Sequence, residues 1–129
     1  MPWIARTFIV VGALASALAV ILGAAAAHIP VVAQAASNPS LTIALQMHQF
    51  HALGLLLTGL LALRLPDSRW VQFAGMLMLY GLFAFSANLY LRTLAGIDTF
   101  RVLVPSGGGA WIVAWLSLAL GAARGQRRY

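Results

Sequence analysis

The sequence predicts an all-α membrane protein in which four transmembrane helices form a bundle. Hydrophobic residues make up 62% of the 129-residue chain and charged residues only 8%. A soluble domain is about one quarter charged, so too few charges remain here to cover a water-exposed surface. The apolar residues form four stretches, each close to the roughly 20 residues that a helix needs to cross a bilayer. Barrel strands are not expected, because apolar and polar residues do not alternate.

Each stretch has recognisable ends. The expected helices, which form a single domain over residues 1–129, cover about residues 4–27, 41–64, 70–92 and 105–123. Pro66 ends the second helix, and Asp67 or Ser68 caps the third. Pro105 suits the first turn of the fourth helix. The uncharged residues 28–40 are expected to form a loop.

The first apolar stretch shares features with a secretory signal peptide. Arg6 precedes it, and the small-residue sequence Ala33-Gln34-Ala35 follows it. The apolar run is longer than the usual 7 to about 15 residues of a signal peptide. We therefore expect this stretch to remain as a helix of the mature protein.

The basic residues are all arginines and lie unequally at the two ends of the predicted bundle. One end carries Arg6, Arg64, Arg69, Arg124, Arg127 and Arg128. The other end carries Arg92 and Arg101. Because cytoplasmic segments are enriched in basic residues, both termini are predicted to be cytoplasmic. The Ala-rich, Lys-free composition favours a bacterial inner membrane. Nucleic-acid binding is not expected, because the sequence has no basic face with interleaved aromatic residues.

Small and polar residues recur along the predicted helices. Small residues let helix backbones approach closely, which drives helix association in lipid. The residues expected to serve helix packing or the docking of a partner are Gly12, Ser16, Ala19, Gly23, Gly54, Gly59, Asn88, Tyr90, Pro105, Gly107 and Gly108. Packing within one bundle is the first interpretation, and docking of another membrane protein is the alternative.

Three histidines are the residues with most potential for chemistry. His28 ends the first helix, while His48 and His51 are three residues apart and lie near one face of the second. They are candidate ligands for haem or copper, or hydrogen-bonding groups for a quinone. The alternative is a structural network in which His51, Asn88 and Tyr90 hydrogen-bond across helices. In that case no cofactor is expected.

Residue patterns typical of enzymes are missing from the sequence. The chain has no Cys and no Glu, and its two carboxylates, Asp67 and Asp98, lie in predicted loops. Thiol chemistry and paired-carboxylate chemistry therefore have no evident site. Ser106 with the three following glycines lacks the surroundings of a nucleophile elbow or a phosphate-binding loop. We expect a non-catalytic protein without a metal site.

Several motifs, in order along the chain, resemble the domain-of-unknown-function 423 family. They are Leu22-Gly23-Ala24, Ala27-His28, Phe50-His51-Ala52-Leu53, Phe85-Ser86-Ala87-Asn88-Leu89-Tyr90, Val104-Pro105-Ser106-Gly107-Gly108 and Trp115. The chain departs from the family pattern at Ala87, Asn88, Ser106 and Ala114, and His48 falls outside it. The resemblance implies a small four-helix protein of the bacterial inner membrane, similar to mitochondrial transmembrane protein 256. It implies an architecture rather than a chemical activity.

Three functional hypotheses follow. The first is an accessory or assembly subunit of a larger energy-transducing membrane complex, favoured by the small size, the small-residue helix faces and the resemblance to a mitochondrial protein. The second is a protein that binds haem, copper or a quinone through its histidines. The third is a self-associating bundle that organises lipid, which predicts homo-oligomers. The basic tail after Ala123 is expected to set the topology or to contact a partner or anionic lipid.

Overall fold

A computed structural model describes residues 2–125, which form α-helices and no β-strand. The helices are α1 (Trp3–His28), α2 (Pro30–Ala35), α3 (Pro39–Arg64), α4 (Arg69–Gly81), α5 (Asn88–Ala95) and α6 (Val104–Gly125). A π-helical segment, Leu82–Ala87, joins α4 to α5, and a 3-10 turn, Arg101–Leu103, leads into α6. Most of the predicted basic tail, residues 126–129, lies outside the described residues.

Close contacts between α1 and α3 define their relative direction. Gly12 of α1 lies against Leu56 of α3. Gly59, nearer the carboxyl end of α3, lies against Ile9, nearer the amino end of α1. The two helices are therefore antiparallel, as is common for neighbouring helices in a bundle.

The second half of the chain repeats this arrangement. Gly81 at the end of α4 lies against Trp111 near the start of α6, and Val71 near the start of α4 lies against Gly121 near the end of α6. The turn over residues 65–68 reverses the chain between α3 and α4. Four long helical segments consequently alternate in direction, and the start of α1 shares one end of the bundle with the end of α6.

Side chains cap the starts of α3 and α4. The Asn38 side-chain oxygen accepts from the Ser40 amide at 3.0 Å. The Ser68 hydroxyl accepts from the Val71 amide at 3.4 Å, so Ser68 rather than Asp67 caps α4. These bonds satisfy amides that have no partner within the helix.

Two of the predicted segments are less simple than expected. The predicted loop over residues 28–40 contains the short helix α2, which Pro30 can begin because its fixed φ suits a first helical position. The third predicted helix is interrupted by the π-helical segment, where the Ser86 hydroxyl donates to the Ala44 carbonyl of α3 at 3.1 Å. Hydropathy detects neither feature, because neither changes the apolar content.

Within residues 2–125, three helical segments are long and apolar enough to cross a membrane: Trp3–His28, Arg69–Ala95 and Arg101–Gly125, with mean hydropathies of 2.5, 1.4 and 1.5. The helix α3 has 26 residues but is less apolar, because it carries polar side chains along its length. Three of these, His48, His51 and Thr58, are buried. These three polar side chains of α3 therefore face other helices.

The main core cluster lies where α1, α3, α4 and α6 meet. Its buried side chains are Phe8, Leu55, Ala74, Met78, Leu82, Trp111 and Ala114. Trp111 is only 3% exposed and its indole N–H donates to the Met78 carbonyl at 3.2 Å. Although Trp111 lies near the start of α6, the rotation of this helix turns the ring into the bundle.

Candidate functional site

The ring of His51 lies against two tryptophans of α6. It stacks on Trp111, with ring centres 3.7 Å apart and planes inclined by 4°. The Trp115 indole N–H donates to His51 Nε2 at 3.2 Å, and His51 Nδ1–H donates to the Met47 carbonyl at 2.8 Å. A carbonyl only accepts and an indole N–H only donates. These partners therefore select the neutral His51 ring with its proton on Nδ1.

His48, one turn earlier, faces different neighbours. Its Nε2–H donates to the Ala15 carbonyl of α1 at 2.8 Å, and the Tyr90 hydroxyl of α5 donates to its Nδ1 at 2.8 Å. The imidazole is 4% exposed and therefore buried. A single side chain of α3 thus joins α1, α3 and α5.

The predicted network of His51, Asn88 and Tyr90 is wrong in its partners. Tyr90 bonds to His48, and the Asn88 amide donates to the carbonyls of Ala84 and Phe100. Residues three apart on a helix differ by about 60° in direction, which is enough to send neighbouring rings to different helices. His51, Asn88 and Tyr90 therefore all form hydrogen bonds, but none of them bonds to another of the three.

The three histidines do not converge on one point. His28 is exposed at the end of α1, thirteen residues beyond Ala15 and thus about 20 Å from the His48 contact along the helix axis. Within residues 2–125 there is no group of three His, Cys, Asp or Glu side chains that could hold a metal. Both nitrogens of His48 and of His51 are already hydrogen-bonded to protein groups. Haem or copper ligation would have to break one of these bonds, so the arrangement fits helix joining better.

The small residues of α1 and α3 lie where the two backbones approach. A Cβ atom added at Gly12 would lie 2.6 Å from the Leu56 amide nitrogen, and one at Gly59 would lie 2.8 Å from the Ile9 amide nitrogen. Real Cβ atoms essentially never come this close to another heavy atom. Only glycine fits at these two positions without moving a helix.

Other predicted small residues of α1 have different surroundings. Ala19 is buried, and the half-buried Ser16 donates from its hydroxyl to the Gly12 carbonyl at 2.8 Å within the same helix. Gly23 packs more loosely, since a Cβ there would lie 3.9 Å from the Gln49 side chain. Of the predicted small residues of α1, Gly12 and Ala19 are therefore the two that are buried in the bundle.

The start of α6 also packs closely. A Cβ atom at Gly107 would lie 2.8 Å from the Phe85 amide nitrogen, in the π-helical segment, whereas at Gly108 it would lie 3.8 Å from the Phe85 ring. Gly54 lies against an indole ring of α6 at 3.0 Å by the same measure. Pro105 is exposed at the second position of α6.

Sequence reasoning missed the roles of Trp111 and Trp115 beside His51. The distance along the chain between Trp115 and His51 is 64 residues, so no local pattern links them. The spacing of the two tryptophans is a usable signal, because residues four apart lie on one helix face. Where such a pair of aromatic residues on one helix faces a histidine on another, as Trp111 and Trp115 face His51, the three side chains are expected to pack into one cluster.

Tyr90→Phe should lower the free energy of unfolding by about 0.5 to 1.5 kcal/mol, because it removes the part-buried hydrogen bond to His48. The measurement is reversible unfolding in mixed detergent micelles. Tyr80→Phe is the matched control, since it removes a hydroxyl that donates to the exposed Ser106 at 2.7 Å. Equal losses from the two variants would contradict a special role for the Tyr90 bond.

The chain is similar to a family of bacterial membrane proteins. The family profile described as "Protein of unknown function (DUF423)" matches residues 22–108. The chain is 34% identical to the UPF0382 membrane protein YwdK of Bacillus subtilis over 127 residues, covering 92% of this chain and 98% of that protein. It is 34% identical to a UPF0382 membrane protein of Staphylococcus saprophyticus, covering 90% and 96%, and 26% identical to the UPF0382 inner membrane protein YgdD of Escherichia coli, covering 95% and 94%. No solved structure matches.

Proposed function

Because the chain belongs to the DUF423 family of bacterial membrane proteins, we propose that it is a non-catalytic accessory or assembly subunit of a larger energy-transducing membrane complex. The protein itself resides in the bacterial inner membrane. An energy-transducing complex is the kind of partner favoured by the sequence resemblance to a mitochondrial protein. Two structural observations support the proposal: the hydrogen bonding of the polar groups in the core and the exposed outer face of α1.

The core uses its polar groups for structure. Among residues 2–125, no buried side-chain nitrogen or oxygen lacks a hydrogen-bond partner. His48 joins α1, α3 and α5, and His51 joins α3 to α6. Groups committed in this way rigidify a bundle and leave few donors or acceptors for a substrate. This supports a non-catalytic role.

The outer face of α1 is the observation that carries the proposed role as a subunit. The helix buries four of its 26 residues, whereas α3, of the same length, buries ten. Exposed residues cover about half of the circumference of α1. The exposed alanines Ala13, Ala17 and Ala24 lie on this face. Small side chains let a helix of another protein approach closely in lipid.

The proposal includes α3 as a fourth span with both termini in the cytoplasm. A helix of 26 residues is about 39 Å long, enough to cross the hydrocarbon core. Arg64, Arg69 and Arg124 line one cleft at the end that holds both termini of the bundle. At the opposite end Arg92 and Arg101 both pair with Asp98. The excess of basic residues at the first end favours its cytoplasmic location.

Ala17→Trp tests the docking role of α1. We expect the tagged wild-type protein, extracted from its native membrane in mild detergent, to co-purify with a partner complex in stoichiometric amounts. Because Ala17 is exposed, a larger side chain at this position lies outside the bundle and does not disturb its packing. The variant should therefore fold normally but lose most of the partner, because the indole blocks close helix approach.

Leu116→Trp is the control, since Leu116 is 62% exposed on α6. It should retain the partner. A wild-type protein that purifies alone, or equal partner loss from both variants, would contradict the proposal. Recovery of only a second copy of the chain would indicate the self-associating bundle instead.

A further inference from the structure

A basic cleft lies at the end of the bundle where α3 turns into α4. It has a volume of about 540 Å³ and is lined by the turn over residues 65–68 and by the last turns of α6. Arg64, Arg69 and Arg124 line it, together with one carboxylate, Asp67. Within residues 2–125, both ion pairs involve Asp98 at the other end of the bundle. The cleft therefore carries a net positive charge that the described residues do not neutralise.

Two contacts give this cleft a defined shape. The Arg124 guanidinium lies 5.0 Å from the ring centre of Trp70, which is a cation–π distance. Gly121 brings α6 close to α4, since a Cβ there would lie 2.9 Å from Val71. The exposed Trp70 ring thus helps to position the Arg124 guanidinium that lines the cleft.

An apolar groove shares one lining residue, Arg69, with the basic cleft. It has a volume of about 280 Å³ and runs between α1 and α4. Its lining is mostly apolar, from Trp3, Ile4, Phe8, Phe73, Met76 and Leu79, with the polar side chains of Thr7 and Gln72. Arg69 lines both the groove and the cleft. The molecule therefore offers a cationic recess and an apolar channel that meet at one arginine.

We propose that the cleft and the groove together bind one anionic phospholipid, with its phosphate in the cleft and the first part of an acyl chain in the groove. Arginine forms paired, charge-assisted hydrogen bonds to phosphate oxygens. The cleft lies at the ends of helices that are long enough to cross a membrane. The ends of such helices reach the depth of the lipid headgroups. Trp3 and Trp70 at this end suit the same interface. Basic pockets between transmembrane helices recognise anionic headgroups in this way.

Lipid binding by the purified protein tests the proposal independently of any partner complex. Native mass spectrometry in detergent would measure binding of phosphatidylglycerol and of phosphatidylcholine with the same acyl chains. We expect preferential binding of phosphatidylglycerol. Arg69→Gln should weaken that binding roughly fivefold, since one arginine near anionic lipid contributes about 1 kcal/mol and 1.4 kcal/mol is tenfold. Arg124→Gln should act similarly, which guards against a folding defect in one variant.

Arg101→Gln is the matched control. It removes one exposed arginine at the opposite end and leaves Asp98 paired with Arg92. It should change phosphatidylglycerol binding by less than about twofold, because the lost charge is beyond the screening length. Equal binding of the two lipids, or equal effects of Arg69→Gln and Arg101→Gln, would overturn the proposal.

Phe73→Ala distinguishes a lipid from a free anion. Phe73 is half exposed in the groove, so its truncation should lower phosphatidylglycerol affinity without unfolding the bundle. Inorganic phosphate at millimolar concentration should displace little lipid, because it makes no groove contact. Unchanged lipid binding by Phe73→Ala, together with full displacement by inorganic phosphate, would identify the cleft as a phosphate site and refute the lipid assignment.

Discussion

Replacing Gly12 with alanine should lower the free energy of unfolding by about 2 to 3 kcal/mol, the upper part of the range for overpacking a tight core. The added Cβ would lie 2.6 Å from the Leu56 amide nitrogen and 2.9 Å from its Cα. Both are backbone atoms, so a side-chain rotation cannot relieve the clash. The α1 helix would have to move away from α3, which also weakens the contact of Gly59 with Ile9.

The loss is measured by reversible unfolding in mixed detergent micelles, followed by tryptophan fluorescence. Gly109→Ala is the control, because no atom lies within 4 Å of a Cβ added there. It should be neutral or stabilising by up to about 1 kcal/mol, since alanine restricts the unfolded chain more than glycine. Similar losses from the two variants would show that glycine flexibility, and not close helix approach, explains the effect at Gly12.

Replacing His51 with leucine should cost about 2 to 4 kcal/mol of unfolding free energy, from a lost aromatic stack and an unpaired, part-buried donor. The substitution removes the ring that stacks on Trp111. It also leaves the Trp115 indole N–H without its acceptor. The same micelle unfolding assay measures the loss.

A double-mutant cycle separates the structural role of His51 from that of a cofactor ligand. Trp115→Phe removes the donor, so the double variant His51→Leu with Trp115→Phe has no unpaired group at this position. Its loss should be smaller than the sum of the two single losses by about 1 kcal/mol. Strict additivity of the two losses would contradict the hydrogen bond. Normal stability of His51→Leu combined with loss of a bound chromophore would favour a cofactor ligand.

The positions of the long helices were predictable because their signals are local. Apolar runs of the right length, Pro66 after the end of α3 and Ser68 before the start of α4 all act through neighbouring residues. The π-helical segment Leu82–Ala87 was not predictable in this way. It coincides with contacts to Ala44 of α3 and Gly107 of α6, which are distant in sequence.

The candidate site was predictable in its residue types but not in its pairings. Histidines in an apolar helix must find partners inside a bundle, because leaving them unpaired in hydrocarbon is costly. Which partner each finds depends on the rotation of α3 relative to its neighbours. His48 therefore meets Tyr90, and His51 meets Trp115, although the sequence made Tyr90 an equally plausible partner for His51.

Length, composition and hydrophobic pattern were sufficient for the class of protein, its helical content and the unequal distribution of arginines along the chain. These are properties of short segments, and the bilayer selects them directly. Only the tertiary structure decided that Trp111 is buried, that Gly12 faces a backbone, and that Arg69 lines both the cleft and the groove. Such facts depend on the rotation and the shift of each helix against the others, which are set by packing between residues far apart in the sequence.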